Sequence, residues 1–95
     1  MIRHVSLMTL KEGADGRQLV RALDHLRERV KGPTAMTYGL DAGLKTGNTS
    51  FATCVDFADE AAFRAWDTDA EHERIRKEQV FPIVTGVLRC QFRVG

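Results

Sequence analysis

The spacing of apolar and polar residues changes along the chain, and the first pattern is that of a β-strand. Residues 2–10 are rich in apolar and β-branched side chains and stop at Lys11-Glu12-Gly13, which is typical of a turn. Side chains alternate across a strand, so His4, Ser6 and Met8 share one face and Arg3, Val5, Leu7 and Thr9 the other. Both faces carry apolar groups, and we expect both to be covered.

A helical pattern follows the first strand. Its apolar positions recur every three or four residues and draw a single stripe, made of Leu19, Leu23, Leu26 and Val30. Asp15 is placed to cap the start of this helix, and Gly32-Pro33 is expected to end it.

The middle of the chain predicts a hairpin. One strand is expected within residues 34–44, where Gly39 and Gly43 indicate a bulge or bend. The polar turn at 45–48 leads to a strand over residues 50–57, with one face formed by Phe51, Thr53, Val55 and Phe57.

The last third predicts a broken helical region and a final strand. Asp59 is placed to cap a short helix over 61–66, and residues 67–69 interrupt the pattern. Helical spacing resumes at Glu71 and is bent or ended by Pro82. After Gly86, residues 87–94 predict a strand in which four apolar positions alternate, namely Leu88, Cys90, Phe92 and Val94.

The predicted element order is βαββαβ, which is that of a ferredoxin-like α+β fold with a four-stranded antiparallel sheet. A chain of 95 residues fits one domain, so we expect residues 1–95 to form a single unit. Both helices would cover one face of the sheet and leave an apolar patch on the other. A second copy is the simplest cover, and we therefore expect a homodimer that joins sheet faces into an α/β barrel.

Charge excludes some functions and leaves others open. Lys plus Arg is 14 and Asp plus Glu is 13, and the formal charge of +1 gives no basic surface for nucleic acid or for an anionic membrane. No apolar run reaches the roughly 20 residues of a membrane span, and the first residues show no long apolar stretch with a small-residue cleavage site. We expect a cytoplasmic protein with neither kind of partner.

The cysteines and histidines show no metal-binding spacing. Cys54 and Cys90 lie in separate strand-like runs, and we expect buried free thiols. The three histidines are scattered, so we expect no metal site. His25 lies outside the apolar stripe of its helix, where we expect it to be solvated.

Two histidines are the candidates for catalysis. His4 lies in an apolar strand and His72 near the start of the last helical region, where either could instead be structural or capping. Should both enter one cleft, one imidazole can remove a proton next to a carbonyl while the other stabilises the resulting oxyanion. The residues expected to bind an apolar or oxygenated organic ligand, unless they only fill the core, are Ser6, Met8, Tyr38, Phe51, Thr53, Phe63 and Trp66.

Several of these residues match a known family pattern. The opening Met1-Ile2-Arg3-His4-Val5-Ser6-Leu7 running to Lys11-Glu12-Gly13, then Phe57, Phe63-Arg64-Ala65-Trp66 and His72, resemble the Dabb family of stress-responsive dimeric α/β-barrel proteins. The resemblance covers nearly the whole chain. It implies a ferredoxin-like homodimer whose two sheets face each other.

The resemblance also implies a chemistry. Olivetolic acid cyclase-type members close a linear polyketide by aldol condensation without a cofactor, and His4 and His72 match their two histidines. Trp66 stands in place of their tyrosine, so it offers an indole N–H and no phenol. Asp69-Ala70-Glu71 replaces the His-Pro that often precedes the second histidine.

The sequence thus predicts a cofactor-free small-molecule enzyme of the cyclase, lyase or isomerase type that uses His4 and His72. Two alternatives stay open. One is a non-enzymatic stress-responsive or ligand-binding homodimer. The other is a cofactor-free monooxygenase on the same barrel fold.

Overall fold

The computed structural model describes residues 1–95, and it confirms the ferredoxin-like α+β fold with a four-stranded antiparallel sheet. The elements in chain order are β1 (Ile2–Leu10), α1 (Gly16–Arg29), β2 (Ala35–Leu40), β3 (Phe51–Phe57), α2 (Glu60–Asp67), α3 (Ala70–Ile75), a π-helical turn (Arg76–Val80), a 3-10 turn (Phe81–Ile83) and β4 (Val84–Arg93).

The sheet has the strand order β2-β3-β1-β4, so β1 is central and β4 is an edge. Across β1, His4 lies opposite Val55 of β3 and Gln91 of β4. Directly opposite residues point to the same face of a sheet. The face of β1 and β4 that lies under the helices therefore carries polar side chains beside apolar ones.

Helix α1 forms where the apolar stripe predicted it and covers one face of the sheet. Asp15 caps its start by accepting a hydrogen bond from the backbone N–H of Arg17 (3.0 Å). Leu19 and Leu23 are buried against the aromatic core on β3. The helix ends at Arg29, before the predicted Gly32, which adopts a φ of +139° against the side chain of Trp66.

The second helical region is broken, as the sequence predicted, but its second part is not one regular helix. Asp59 caps α2 by accepting from the backbone N–H of Ala62 (2.8 Å). Helix α3 widens into a π-helical turn after Ile75, and Pro82 lies in the 3-10 turn that ends the run. Short π-helical segments are frequent at functional sites.

Two details of the predicted strands are wrong. The pairing of β2 with β3 is continuous, with Gly39 opposite Ala52, so Gly39 makes no bulge there, and Gly43 lies beyond the strand with a φ of +74°. The register shift lies between Thr9 and Leu10, where β1 pairs with β4. Strand β4 begins at Val84 and includes Gly86, because the edge pairing with β1 continues past the glycine.

The outer face of the sheet is apolar and exposed in the single chain. Leu7 and Leu88 are opposite each other on this face and are 41% and 73% exposed. Cys54 and Cys90 flank Val5 on it. Cys54 is only half-buried and Cys90 is exposed, so the prediction of two buried thiols is wrong for the single chain: the alternation of β3 and β4 turns both away from the helices.

No helix in this chain combines the length and the apolar character that crossing a bilayer requires.

Candidate active site

A cavity of about 430 Å³ lies between the helices and the face of the sheet that they cover. Its walls come from α1, from the helix-facing side of β1, β3 and β4, and from the broken region that follows Phe63. Ligand pockets commonly have this size and a mainly apolar lining with a few polar groups.

Both predicted histidines line this cavity, and Trp66 lies between β1 and α3 beside them. The ring centroids of Trp66 and His72 are 4.1 Å apart, and those of Trp66 and His4 are 5.8 Å apart. The structure therefore brings the two imidazoles to one site around a shared indole.

His72 is held in a single orientation by the start of α3. Asp69 caps this helix by accepting from the backbone N–H groups of Glu71 (2.9 Å) and His72 (3.1 Å). The Nδ1 of His72 lies 2.7 Å from the backbone carbonyl oxygen of Trp66. A carbonyl oxygen can only accept, so Nδ1–H is the donor and the neutral ring keeps its lone pair on Nε2.

His4 is the opposite tautomer, with its proton on the other ring nitrogen. The side-chain amide nitrogen of Gln91 lies 2.8 Å from Nδ1 of His4, and an amide NH₂ can only donate. The neutral His4 ring therefore carries its proton on Nε2. Phe63 packs against the ring with centroids 5.5 Å apart.

Burial keeps both imidazoles neutral. Loss of solvation lowers the pKa of His72, and its hydrogen bond to the Trp66 carbonyl opposes this only in part. Loss of solvation also lowers the pKa of His4, with the charge of Asp67 acting against it and that of Arg89 acting with it. At neutral pH the site thus presents one basic nitrogen, on His72, and one N–H donor, on His4.

Among the aromatic rings at the cavity, three polar atoms have no partner within the protein. The indole N–H of Trp66 is the buried side-chain polar atom without a hydrogen bond. The Nε2 atoms of His4 and His72 also have none, and they are not among the buried ones, so both remain open to solvent. By contrast, the buried hydroxyls of Ser6 and Thr53 hydrogen-bond to each other.

The polar residues that the sequence analysis missed are Gln91, Arg89, Arg76, Asp67 and Glu73. Arg89 and Gln91 alternate with the apolar residues of β4 and lie opposite Ser6 and His4. This alternation puts both on one face of β4, but it does not say which face lies under the helices. Arg76 pairs with Asp67 (Nη1 to Oδ1, 3.0 Å) where the chain passes from α3 into the π-helical turn.

Five of the seven predicted ligand-binding residues line the cavity, namely Ser6, Met8, Thr53, Phe63 and Trp66. Tyr38 and Phe51 do not. Tyr38 lies on β2, at the sheet edge opposite β4, where its hydroxyl donates to Asp24 and accepts from Arg27. Phe51 is 1% exposed and fills the core beside Tyr38.

His25 is half-buried rather than solvated. Its Nδ1 lies 2.7 Å from the side-chain carbonyl oxygen of Gln79 in the π-helical turn, and it does not line the cavity. The chain has no group of three or more His, Cys, Asp or Glu side chains close enough together to hold a metal ion.

The fold and the cavity define a ferredoxin-like α+β domain with two neutral histidines under its helices. Residues 2–94 match the model of the stress-responsive A/B barrel domain, and the chain belongs to this family, Dabb.

Solved structures with the same fold include proteins of several kinds. A dimeric ferredoxin-like protein of unknown function from Thermobifida fusca is 26% identical, with a TM-score of 0.85 over 98% of this chain and 90% of that one. The hydroxynitrile lyase from Passiflora edulis is 16% identical (TM-score 0.82; 99% and 93% covered). SnoaB, a cofactor-independent oxygenase from Streptomyces nogalater, is 12% identical (TM-score 0.78; 99% and 92% covered). No curated protein gave a significant sequence match.

Proposed function

We propose that this protein is a cofactor-free enzyme that moves a proton next to a carbonyl group, in a reaction of the cyclase, lyase or isomerase type. The observation that carries the proposal is that two neutral imidazoles at one cavity are opposite tautomers. His72 offers a lone pair on Nε2, and His4 offers an N–H on Nε2. A base and an oxyanion donor are the two groups that enolate chemistry needs.

In the proposed reaction, Nε2 of His72 takes the proton from the carbon next to a substrate carbonyl. The C–H electron pair moves to form the enolate, and its oxygen accepts a hydrogen bond from Nε2–H of His4. The enolate carbon then attacks a second carbonyl, as in an aldol closure, or takes up a proton at another position. His72 returns its proton to the new alkoxide or carbon, which restores the neutral pair.

Lyase chemistry uses the same groups in reverse. A base removes a proton from a hydroxyl, the neighbouring C–C bond breaks, and the leaving carbanion is protonated. The fold is compatible with such an enzyme, since the hydroxynitrile lyase from Passiflora edulis shares it. At 16% identity this likeness concerns the fold alone, and the proposal depends on the histidines.

Proton transfer can be tested without knowing the natural substrate. In D₂O, we expect the protein to exchange the benzylic protons of phenylacetone for deuterium faster than buffer does, because His72 acts as a positioned base. Proton NMR follows the loss of signal. A rate equal to that with the His4→Phe/His72→Gln double variant would contradict the proposal.

The same sample distinguishes the two alternatives. Oxygen uptake with an electron-rich phenol, in the absence of exchange, would identify a cofactor-free oxygenase. Saturable binding of these probes with neither reaction would identify a ligand-binding dimer. Either result would replace the proposed proton transfer.

The rate of the exchange reaction should fall in one direction of pH only, toward acid. Because burial lowers the pKa of both histidines, His72 stays unprotonated below the ordinary imidazole value of about 6.5. We expect the rate to be constant above that value and to fall only at lower pH, as His72 gains a proton. A profile whose acidic limb has its midpoint above about 6.5 would show that burial does not set the pKa of the base.

We also propose that two copies associate through the apolar outer face of the sheet. Leu7, Leu88 and Phe92 are exposed on that face, and single chains rarely leave such a patch uncovered. The related protein from Thermobifida fusca is described as dimeric. The helices and the cavity lie on the other side of the sheet, so this association leaves the cavity open.

A further inference from the structure

We propose that the substrate of this cavity is a carboxylate-bearing ketone and that Arg89 binds its carboxylate. This inference rests on the proposed function, because it assigns the substrate class for the same site. It adds a binding residue that takes no part in moving the proton.

Arg89 is placed to meet a ligand. It lies on the edge strand β4 opposite Ser6, on the face that forms the cavity wall. Its guanidinium makes no ion pair, whereas the other cavity arginine, Arg76, is bound to Asp67 (3.0 Å) and Glu73 (3.3 Å). The two acids of the cavity wall are thus already paired with Arg76, and Arg89 is left with its charge unmatched.

The groups left unpaired around the cavity are mostly donors. Besides Arg89 they include Nε2–H of His4, which has no acceptor in the protein. Donors that face the cavity without a protein partner favour a ligand that supplies oxygen atoms. Carboxylate and carbonyl oxygens are acceptors of this kind, and a guanidinium binds a carboxylate through two parallel N–H groups.

The register of the sheet places Arg89 near the residue that holds His4. Arg89 and Gln91 are two residues apart on one face of β4, about 7 Å along the strand. Gln91 holds His4, so we expect only a few bonds between the carboxylate and the enolate oxygen. A short keto acid with an apolar remainder fits this spacing and the apolar part of the cavity wall.

Binding of two matched probes tests the assignment. Phenylacetate and phenylacetamide have nearly the same shape and differ in charge. We expect NMR titration of the wild-type protein to show phenylacetate binding about three- to ten-fold more tightly, the range for a partly exposed charge pair. Arg89→Gln should abolish this preference, and Arg89→Lys should keep part of it, because lysine retains the charge without the paired N–H groups.

Arg21→Gln is the control, since Arg21 is an exposed arginine on α1 that forms no ion pair and does not line the cavity. It should leave the preference unchanged. Equal binding of both probes to the wild type, no binding of phenylacetate at millimolar concentration, or a preference that survives in Arg89→Gln would each overturn the proposal.

The measurement does not depend on turnover. Repeated with His72→Gln, it should show the same preference for phenylacetate even though the base is gone. A protein that prefers the carboxylate but exchanges no protons would retain Arg89 as an anion-binding residue and refute the proposed catalysis. A protein that exchanges protons but binds both probes equally would support the proposed catalysis and refute the role of Arg89.

Discussion

Replacing His72 with glutamine is expected to lower the rate of proton exchange about 100- to 10,000-fold, which is the contribution of a positioned general base. The amide cannot take up a proton near neutral pH, although it is polar and similar in length. The measurement is the deuterium exchange of phenylacetone at pH 7. His25→Gln is the matched control, because His25 bonds to Gln79 outside the cavity.

A purely structural role for His72 predicts different results. Its side chain is 4% exposed and bonds to the Trp66 carbonyl, so its loss also perturbs packing. Added imidazole separates the two roles: His72→Ala should regain part of the exchange rate when imidazole enters the vacated space, whereas His25→Ala should not respond. Exchange at the wild-type rate in His72→Gln, or no rescue in a folded His72→Ala, would contradict its role as the base.

His4 should behave differently from His72. Removing one oxyanion donor typically costs about 100- to 1,000-fold, and His4→Phe keeps a ring of similar breadth against Phe63 while removing Nε2–H. The acidic limb of the pH profile should remain in this variant, because it reports the protonation of His72.

The fold could be predicted from the sequence because each element carries its own local signal. A run of apolar and β-branched residues that stops at a turn defined β1, and the three-and-four spacing of apolar residues defined α1. The capping aspartates marked the helix starts correctly at Asp15 and Asp59. Glycines misled the prediction of bulges, because Gly39 occupies a regular position in β2 and a Cβ there would meet no neighbouring atom.

The site was harder to predict because it depends on which strands are neighbours. Tyr38 is an attractive hydrogen-bonding residue in the sequence, but the strand order puts β2 on the far edge from the cavity. Arg89 and Gln91 read as the solvent side of a strand, since Leu88 and Phe92 are the apolar alternates. The structure shows the reverse: the polar residues line the cavity and the apolar ones form the bare face.

The opposite tautomers of the two histidines could not be predicted from the sequence either. It is set by a backbone carbonyl six residues before His72 and by an amide 87 residues after His4. Neither contact follows from spacing alone, because each depends on how α2 turns into α3 and on the register of β4. Sequence reasoning identified the two imidazoles, and the structure added the hydrogen bonds that set their tautomers.

Introducing a charge on the outer face should separate the proposed dimer into single chains. Leu88→Asp places a carboxylate where Leu88 is 73% exposed in the chain but would be covered by the second copy. Burying an unpaired charge is strongly unfavourable, so we expect dimerisation to weaken by at least about 100-fold. Analytical ultracentrifugation at micromolar concentration should then show a dimer for the wild type and a monomer for this variant.

Ala61→Asp is the control for the added charge, because Ala61 is exposed near the start of α2, on the opposite side of the sheet, where a carboxylate is tolerated. It should remain dimeric. The Leu88→Asp monomer should keep its helical circular dichroism, because Leu88 makes no part of the core under the helices. A wild-type monomer, or a dimer that persists in Leu88→Asp, would mean that this face is not the one that joins the two copies. Loss of proton exchange in a folded monomer would show instead that the cavity needs the second copy, although the sheet separates the two surfaces.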